Sequence, residues 1–283
     1  MLCKLRFTLI VPLAAGILMV APAANAGESP WATTDKAKVR LLSAGPAAAS
    51  GASILRGGVE IEIARGWHTY WRYPGDAGVP PRFDWSGSGN LAAVEVRYPA
   101  PMRIPESGGS KVIGYLDHVV FPLRIRIADP ARPVRLRLRL DFAVCEKICI
   151  PAEARLALDV PAGGGGSLPA LDAAEARVPK PAKLGDGEGL GVLSLRLERG
   201  KQPRALIEVA VPPGKSFDLF AEGPTEDWAL PVPDKIEAAG GRARFAVPID
   251  GAPPGEKPGA IPATIKLTLV AGSEAIEVEA PLD

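Results

Sequence analysis

The 283-residue sequence carries 33 basic and 32 acidic side chains, so it has no positive field of the kind that holds nucleic acid or anionic lipid. A hydrophobic content of 47% suits a chain with a packed core rather than a disordered one. No motif for a catalytic triad, paired glycosidase carboxylates or a nucleotide loop stands out.

The chain opens with MLCKLRFTLIVPLAAGILMVAPAANA, where Lys4 and Arg6 precede an apolar run from Phe7 to Val20 and Ala24, Asn25 and Ala26 close the segment. That is the pattern of a secretory signal peptide over residues 1–26, cleaved after Ala26, and it predicts export to the periplasm. The run is short and broken by Pro12, which suits export better than spanning. Cleavage removes Cys3, and from Gly27 onward 31 basic and 32 acidic residues remain. Cys145 and Cys149 are then the only thiols of an exported protein, in conditions that let disulfides form. No later apolar run has spanning length, so the mature chain is expected to be soluble, with any membrane step left to a partner.

Period-two alternation dominates from there. It is clearest in PVRLRLRLDFAV, where Val134, Leu136, Leu138, Leu140 and Phe142 face one way and Arg135, Arg137, Arg139 and Asp141 the other. Similar patterns at residues 58–64, 94–98, 119–127 and 154–160, separated by Gly, Pro, Asp and Asn, predict a β-sandwich over residues 27–161. Residues 162–190 begin with a glycine run and read as a Gly/Pro-rich linker, in which Ser167 caps a brief helix through Arg177. Alternation resumes in GVLSLRLER, RALIEVAVP, ARFAVPI, ATIKLTLVA and AIEVEAP, predicting a second β-rich domain over residues 191–283. It contains no Cys or His and reads as a structural or partner-docking module.

The cysteines lie in DFAVCEKICIPAEA. Positions four apart on an unbroken strand are separated by about 13 Å, whereas a disulfide needs Cα atoms within roughly 4.4 to 6.8 Å. If the sulfurs bond, the chain reverses between them, as a hairpin of the strands around 134–144 and 152–160 with Glu146, Lys147 and Ile148 at its tip. Counted from Leu140 and Phe142, and back from Leu156 and Leu158, both cysteines fall on the outward phase, which predicts an accessible pair. Three readings stay open on the residues alone. A structural staple closing so small a ring contributes roughly 2 kcal/mol at best. A metal site needs more ligands than two thiolates, and the spacing to His68 and His118 matches no usual zinc pattern. A redox centre fits an exposed, easily reduced disulfide.

Three blocks in order resemble one family: GGVEIEIARGWHTYWRYPGDAGVPPRFDW, PESGGSKVIGYLDHVVFPLRIRI and LRLDFAVCEKICIPAEARLALDV. They are similar to the immunoglobulin-like periplasmic N-terminal domain of the thiol:disulfide interchange protein DsbD and of the suppressor-of-copper-sensitivity reductases, over about residues 30–160. The resemblance implies an electron relay that takes electrons from a membrane-embedded reductase, here a separate polypeptide, and passes them to a soluble periplasmic thioredoxin-like oxidoreductase or isomerase. It implies that Cys149 forms the mixed disulfide and that Cys145 resolves it, with no cofactor because the sulfurs carry the electrons. The spacing of three residues between the cysteines is shorter than in DsbD and closer to the copper-suppressor relatives. The family's cap loop offers aromatic residues over the disulfide, whereas PESGGS at 105–110 has none; Tyr115, Tyr70 or Trp71 is the expected replacement.

Four further residues are candidate modulators. Tyr70 and Glu106 match aromatic and acidic positions near the family's active site, the latter able to accept a proton. His68 in GWHTYW is able, as an imidazolium, to lower a thiol pKa, or else is a packed core residue. Tyr115 is the fourth. The competing functional reading is a non-enzymatic module that handles copper or binds a partner through Cys145 and Cys149, since soft thiolates suit Cu(I).

Overall fold

A computed structural model describes residues 27–46, 53–106, 109–162, 168–187, 189–228, 230–249 and 260–282. The expected signal peptide therefore lies outside the described residues. In chain order the elements are β1 (Ala32–Thr33), β2 (Ala37–Pro46), β3 (Ile54–Ile63), β4 (His68–Gly75), β5 (Arg82–Asp84), β6 (Leu91–Val96), β7 (Met102–Pro105), β8 (Lys111–Leu116), β9 (His118–Ile127), β10 (Val134–Cys145) and β11 (Cys149–Val160). They continue with α1 (Pro169–Ala176), β12 (Lys180–Pro181), β13 (Gly191–Glu198), β14 (Arg204–Ala210), β15 (Phe217–Glu222), β16 (Asp234–Ala239), β17 (Arg242–Pro248), β18 (Thr264–Ala271) and β19 (Glu274–Pro281).

The alternation seen in the sequence becomes two faces. Val134, Leu136, Leu138, Leu140, Phe142 and Val144 of β10 are buried, while Arg135 and Arg139 are exposed. Opposite them lie Val39 and Leu41 of β2, Val59 and Ile61 of β3, and Phe121, Leu123 and Ile125 of β9. Each such side chain stabilises the fold by roughly 1.5 to 3 kcal/mol through burial. One sheet runs β1-β2-β3-β9-β6 and the other β11-β10-β4-β8-β7, with β5 pairing on β10. Together they form an immunoglobulin-like β-sandwich.

A second sandwich follows, with sheets β12-β19-β18-β15 and β13-β14-β17-β16. Ile207, Val209, Phe245, Val247, Ile265, Leu267, Leu269 and Val278 fill it. The fold is all-β apart from one short helix among the described residues, in agreement with the sequence reading.

Residues between the sandwiches are anchored on both sides. Pro169 opens α1, and Leu171 and Ala174, one turn apart, bury against Leu42, Ala44 and Val120. The N-cap is Leu168, without a side-chain cap hydrogen bond, and the expected cap Ser167 lies outside the described residues. Arg56 pairs with Glu175 at 2.7 Å and with Asp172. Next, β12 adds to the second sandwich in parallel with β19.

One buried charge sits in the first sandwich. Glu60 on β3 is 5% exposed, with the Arg40 Nε donating to it at 2.6 Å and His118 Nε2 at 2.8 Å. The His118 hydrogen bond first, and Arg40 after it, hold the Glu60 carboxyl below the usual value of 4.5 against the opposing effect of burial. A depressed folded-state pKa contributes stability above the unfolded value, and that stability is lost as pH falls through the folded value. Glu60→Gln should therefore destabilise the protein by about 2 kcal/mol at pH 7 and flatten the decline of the urea midpoint below pH 4.5. A variant profile parallel to the wild type in that acid range would refute the account.

Candidate functional site

The β10–β11 hairpin runs in unbroken antiparallel register from Val134↔Val160 to Cys145↔Cys149. Strong alternation with β-branched and leucine positions on both arms drives the pairing. The turn Glu146 to Ile148 is closed by the Glu146 N–H donating to the Ile148 carbonyl at 3.2 Å. The Cα atoms of Cys145 and Cys149 are thus 4.2 Å apart, and the two form a disulfide.

The two sulfurs have different surroundings. Cys149 is exposed, as is Ile148 beside it at 67%. Cys145 is 1% exposed. This corrects the expectation that both are accessible. Cys145 does point away from the main core, but the outward face is covered at this end of the sheet by Tyr70, Ile104 and Val112, with Ala143 beside it. Alternation assigned the face correctly and said nothing of what lies over it.

Tyr70 on β4 is the cover over the disulfide. Its hydroxyl lies 2.8 Å from Cys145 Sγ and 3.3 Å from Cys149 Sγ. Burial first, and Glu106 second, push the Tyr70 hydroxyl above its ordinary value of 10, so it remains a neutral donor across the physiological range. Thr69 ties the same strand to β10 by donating to the Ala143 carbonyl at 2.9 Å. The Tyr70 ring is held from outside by Gly78, whose φ is +134°. A Cβ there would stand 2.4 Å from the ring, so only glycine permits this approach.

His68 is directly opposite Cys145 in the β4–β10 pairing and is 2% exposed. Its ring meets Tyr70 edge-on at 5.2 Å. Nε2 lies 3.4 Å from Glu106 Oε1, yet it is buried without a hydrogen-bond partner. The geometry is close enough for an ion pair and wrong for a hydrogen bond. Burial lowers the His68 pKa below 6.5, and the Glu106 charge only partly opposes this. The imidazolium alternative is therefore disfavoured, and His68 is the packed core residue that the sequence also allowed, a neutral neighbour of the sulfurs. Glu106, just past β7, has its backbone N–H on the Ser110 carbonyl at 3.0 Å and is brought to the site through His68. Ser107 and Gly108 of the cap stretch lie outside the described residues.

Two candidates fall elsewhere. Tyr115 pairs with Thr69 and so takes the opposite face from Tyr70. It is 4% exposed, donates to the Pro99 carbonyl at 2.9 Å and packs edge-on against Phe121 in the core. It faces the core and does not cover the disulfide. Trp71 likewise turns away, packing against Phe220 of the second sandwich with the Arg72 guanidinium 4.4 Å over its ring.

Among the described residues no group of three or more His, Cys, Asp or Glu is placed to hold a metal ion. Among them, too, no helix is long and apolar enough to cross a membrane. The arrangement is a disulfide with one exposed cysteine and the other buried beneath a hydroxyl donor.

Residues 38–161 match the family described as the N-terminal part of the thiol:disulfide interchange protein DsbD. The fold is shared with the crystal structure of the N-terminal periplasmic domain of ScsB from Proteus mirabilis, at a TM-score of 0.67 and 21% identity over 90% of this chain and 98% of that one. That coverage takes in both sandwiches. No curated protein is significantly similar in sequence. Residues 38–161, which hold β3 to β11 and both site cysteines, are thus the part of the chain that is similar to the DsbD N-terminal domain family.

Proposed function

We propose that the protein is a periplasmic thiol–disulfide exchange protein that relays electrons between a membrane-embedded reductase and soluble thioredoxin-like oxidoreductases or isomerases. The first sandwich, residues 27–161, is the redox domain, residues 162–190 connect it to residues 191–283, and residues 1–26 are the export signal. The observation that carries this reading is the asymmetry of the disulfide, with Cys149 exposed and Cys145 1% exposed under Tyr70. The family match over residues 38–161 and the fold shared with a periplasmic domain support it.

In the reducing direction a partner thiolate attacks Cys149 Sγ. The Cys145–Cys149 bond breaks, its electron pair passes to Cys145 Sγ, and a mixed disulfide joins the partner to Cys149. The partner's second thiolate then attacks its own bonded sulfur and releases Cys149. In the opposite direction the Cys149 thiolate opens a partner disulfide, and Cys145 attacks Cys149 Sγ to release the reduced partner. Tyr70 donates a hydrogen bond to the charge that appears on Cys145. Exposed Ile148 at the hairpin tip gives the partner an apolar contact next to the reacting sulfur.

With these roles, Cys145→Ser should accumulate mixed disulfides with thioredoxin-like proteins on non-reducing gels, and Cys149→Ser should form none. Adducts through Cys145, or none with either variant, would overturn the assignment. For Tyr70→Phe, loss of a hydrogen bond to a charged sulfur, about 1.5 kcal/mol, should slow dithiothreitol attack on the disulfide about ten-fold. Because the Tyr70 hydroxyl stays protonated, the deficit should be the same at every pH from about 6 to 9. An unchanged rate would remove Tyr70 from the mechanism.

A further inference from the structure

Three strands wall off Cys145, and each carries a basic residue that grips the second sandwich. On β7, Ile104 packs in the cluster around Cys145, and its neighbour Arg103 reaches Asp218 of β15 through Nε at 2.9 Å and Nη2 at 2.7 Å. The same Nη2 donates to the Pro233 carbonyl at 2.9 Å. On β8, Val112 lines the cluster and its neighbour Lys111 meets Asp234 of β16 at 2.8 Å. Neighbouring residues of a strand point to opposite faces, so one face of β7 and β8 closes over the sulfur while the other is held from behind. On β4, Arg72 follows Tyr70 by two residues and binds Glu222 through Nε at 2.9 Å and Nη2 at 2.7 Å, and also Glu277 of β19. Tyr73 donates to the Leu230 carbonyl. Phe220 and Val232 of the second sandwich enter the same apolar cluster as Trp71 and Tyr73.

We infer that the second sandwich is a brace for the redox site, clamping β4, β7 and β8 so that Cys145 stays closed off under Tyr70 while Cys149 remains open. The inference rests on the exchange reading of the two cysteines and assigns positioning roles to Arg72 and Arg103. The two arginine clamps are the effective ones. Their side chains are partly buried, at 25% and 22% exposure, against carboxylates at 14% for Glu222 and 27% for Asp218. Fork-to-carboxylate geometry adds direction to the attraction. The Lys111–Asp234 pair is more exposed, at 39% and 60%, and contributes little.

The test is site-resolved alkylation of the reduced, full-length protein with iodoacetamide, read by peptide mass spectrometry. In the wild type Cys145 should react at least about ten-fold more slowly than Cys149, because it reacts only through local opening. In Arg103→Gln and in Arg72→Gln the Cys145 rate should rise about ten-fold as opening becomes easier, with the Cys149 rate and the near-ultraviolet circular dichroism unchanged. The exchanged pair Arg103→Asp with Asp218→Arg should restore protection. Should a glutamine variant lose its near-ultraviolet signal, Arg103→Lys and Arg72→Lys, which keep the charge and lose the fork, are judged by the same rates. Cys145 protection unaltered in folded variants of both arginines overturns the brace. Failure of the exchange reading looks different, since Cys145 would stay protected and clamp-dependent while Cys145→Ser trapped no partner.

Discussion

The β10–β11 register is the constraint on which the rest of the site depends. Because twelve successive pairs run without a bulge from Val134↔Val160 to Cys145↔Cys149, the position of the sulfurs is fixed by leucines far from them. A slip of one residue would turn Leu136, Leu138 and Leu140 out of the core and reverse every side chain of the strand. Burial of those leucines, each roughly 1.5 to 3 kcal/mol, far outweighs anything a small-ring disulfide adds. The disulfide is therefore free to open and close without the fold depending on it, which a redox role needs and a staple does not.

The hairpin places the two sulfurs together, and residues from elsewhere make them unequal. Both cysteines belong to the face away from the main core. Tyr70, Ile104 and Val112, brought in by β4, β7 and β8, cover that face over Cys145 and leave Cys149 uncovered. Gly114 lies opposite Tyr70 in the β4–β8 pairing, and a Cβ there would stand 2.1 Å from the Thr69 carbonyl oxygen, so glycine permits the close approach of the two strands that carry Tyr70 and Val112. Gly78 then closes on the ring from outside. Tyr70, backed by Gly78, thus covers the disulfide, as one of the three residues expected in place of cap-loop aromatics.

What could be read from the sequence was local. Alternation gave β3, β6, β9, β10 and β11 of the first sandwich and β13, β14, β17, β18 and β19 of the second but not β2, β4, β7, β8, β15 or β16, and the spacing of the cysteines between two alternating arms gave the hairpin and its three-residue tip. The helix expected from a Ser167 cap through Arg177 runs from Pro169 to Ala176 with Leu168 at its N-cap. Tyr70 was among the residues expected over the disulfide, but Ile104 and Val112 were not legible as its neighbours, since they are ordinary strand residues whose importance comes from a pairing order that no local pattern encodes. The misplacement of Trp71 and Tyr115 had a recoverable part. Tyr70 and Trp71 are consecutive on one strand, so only one of them can face the sulfurs, and parity with His68 opposite Cys145 selects Tyr70. The ion pairs of Arg72 and Arg103 with the second sandwich join residues more than a hundred positions apart and leave no trace in either segment alone.

The choice of Tyr70 rather than His68 as the group on the sulfurs follows from burial. A cation beside Cys145 would favour a thiolate strongly, but it would have to be desolvated at a site where the partner charge is absent while the disulfide is intact. Burial accordingly drives His68 toward its neutral form, even with Glu106 3.4 Å away. A phenol escapes this difficulty. Burial pushes its pKa up, which keeps the proton on oxygen and the donor in place over the disulfide. The same burial that silences the histidine as an acid preserves the tyrosine as a hydrogen-bond donor, so a closed, apolar wall and a polar contact to the leaving sulfur are compatible in one small site.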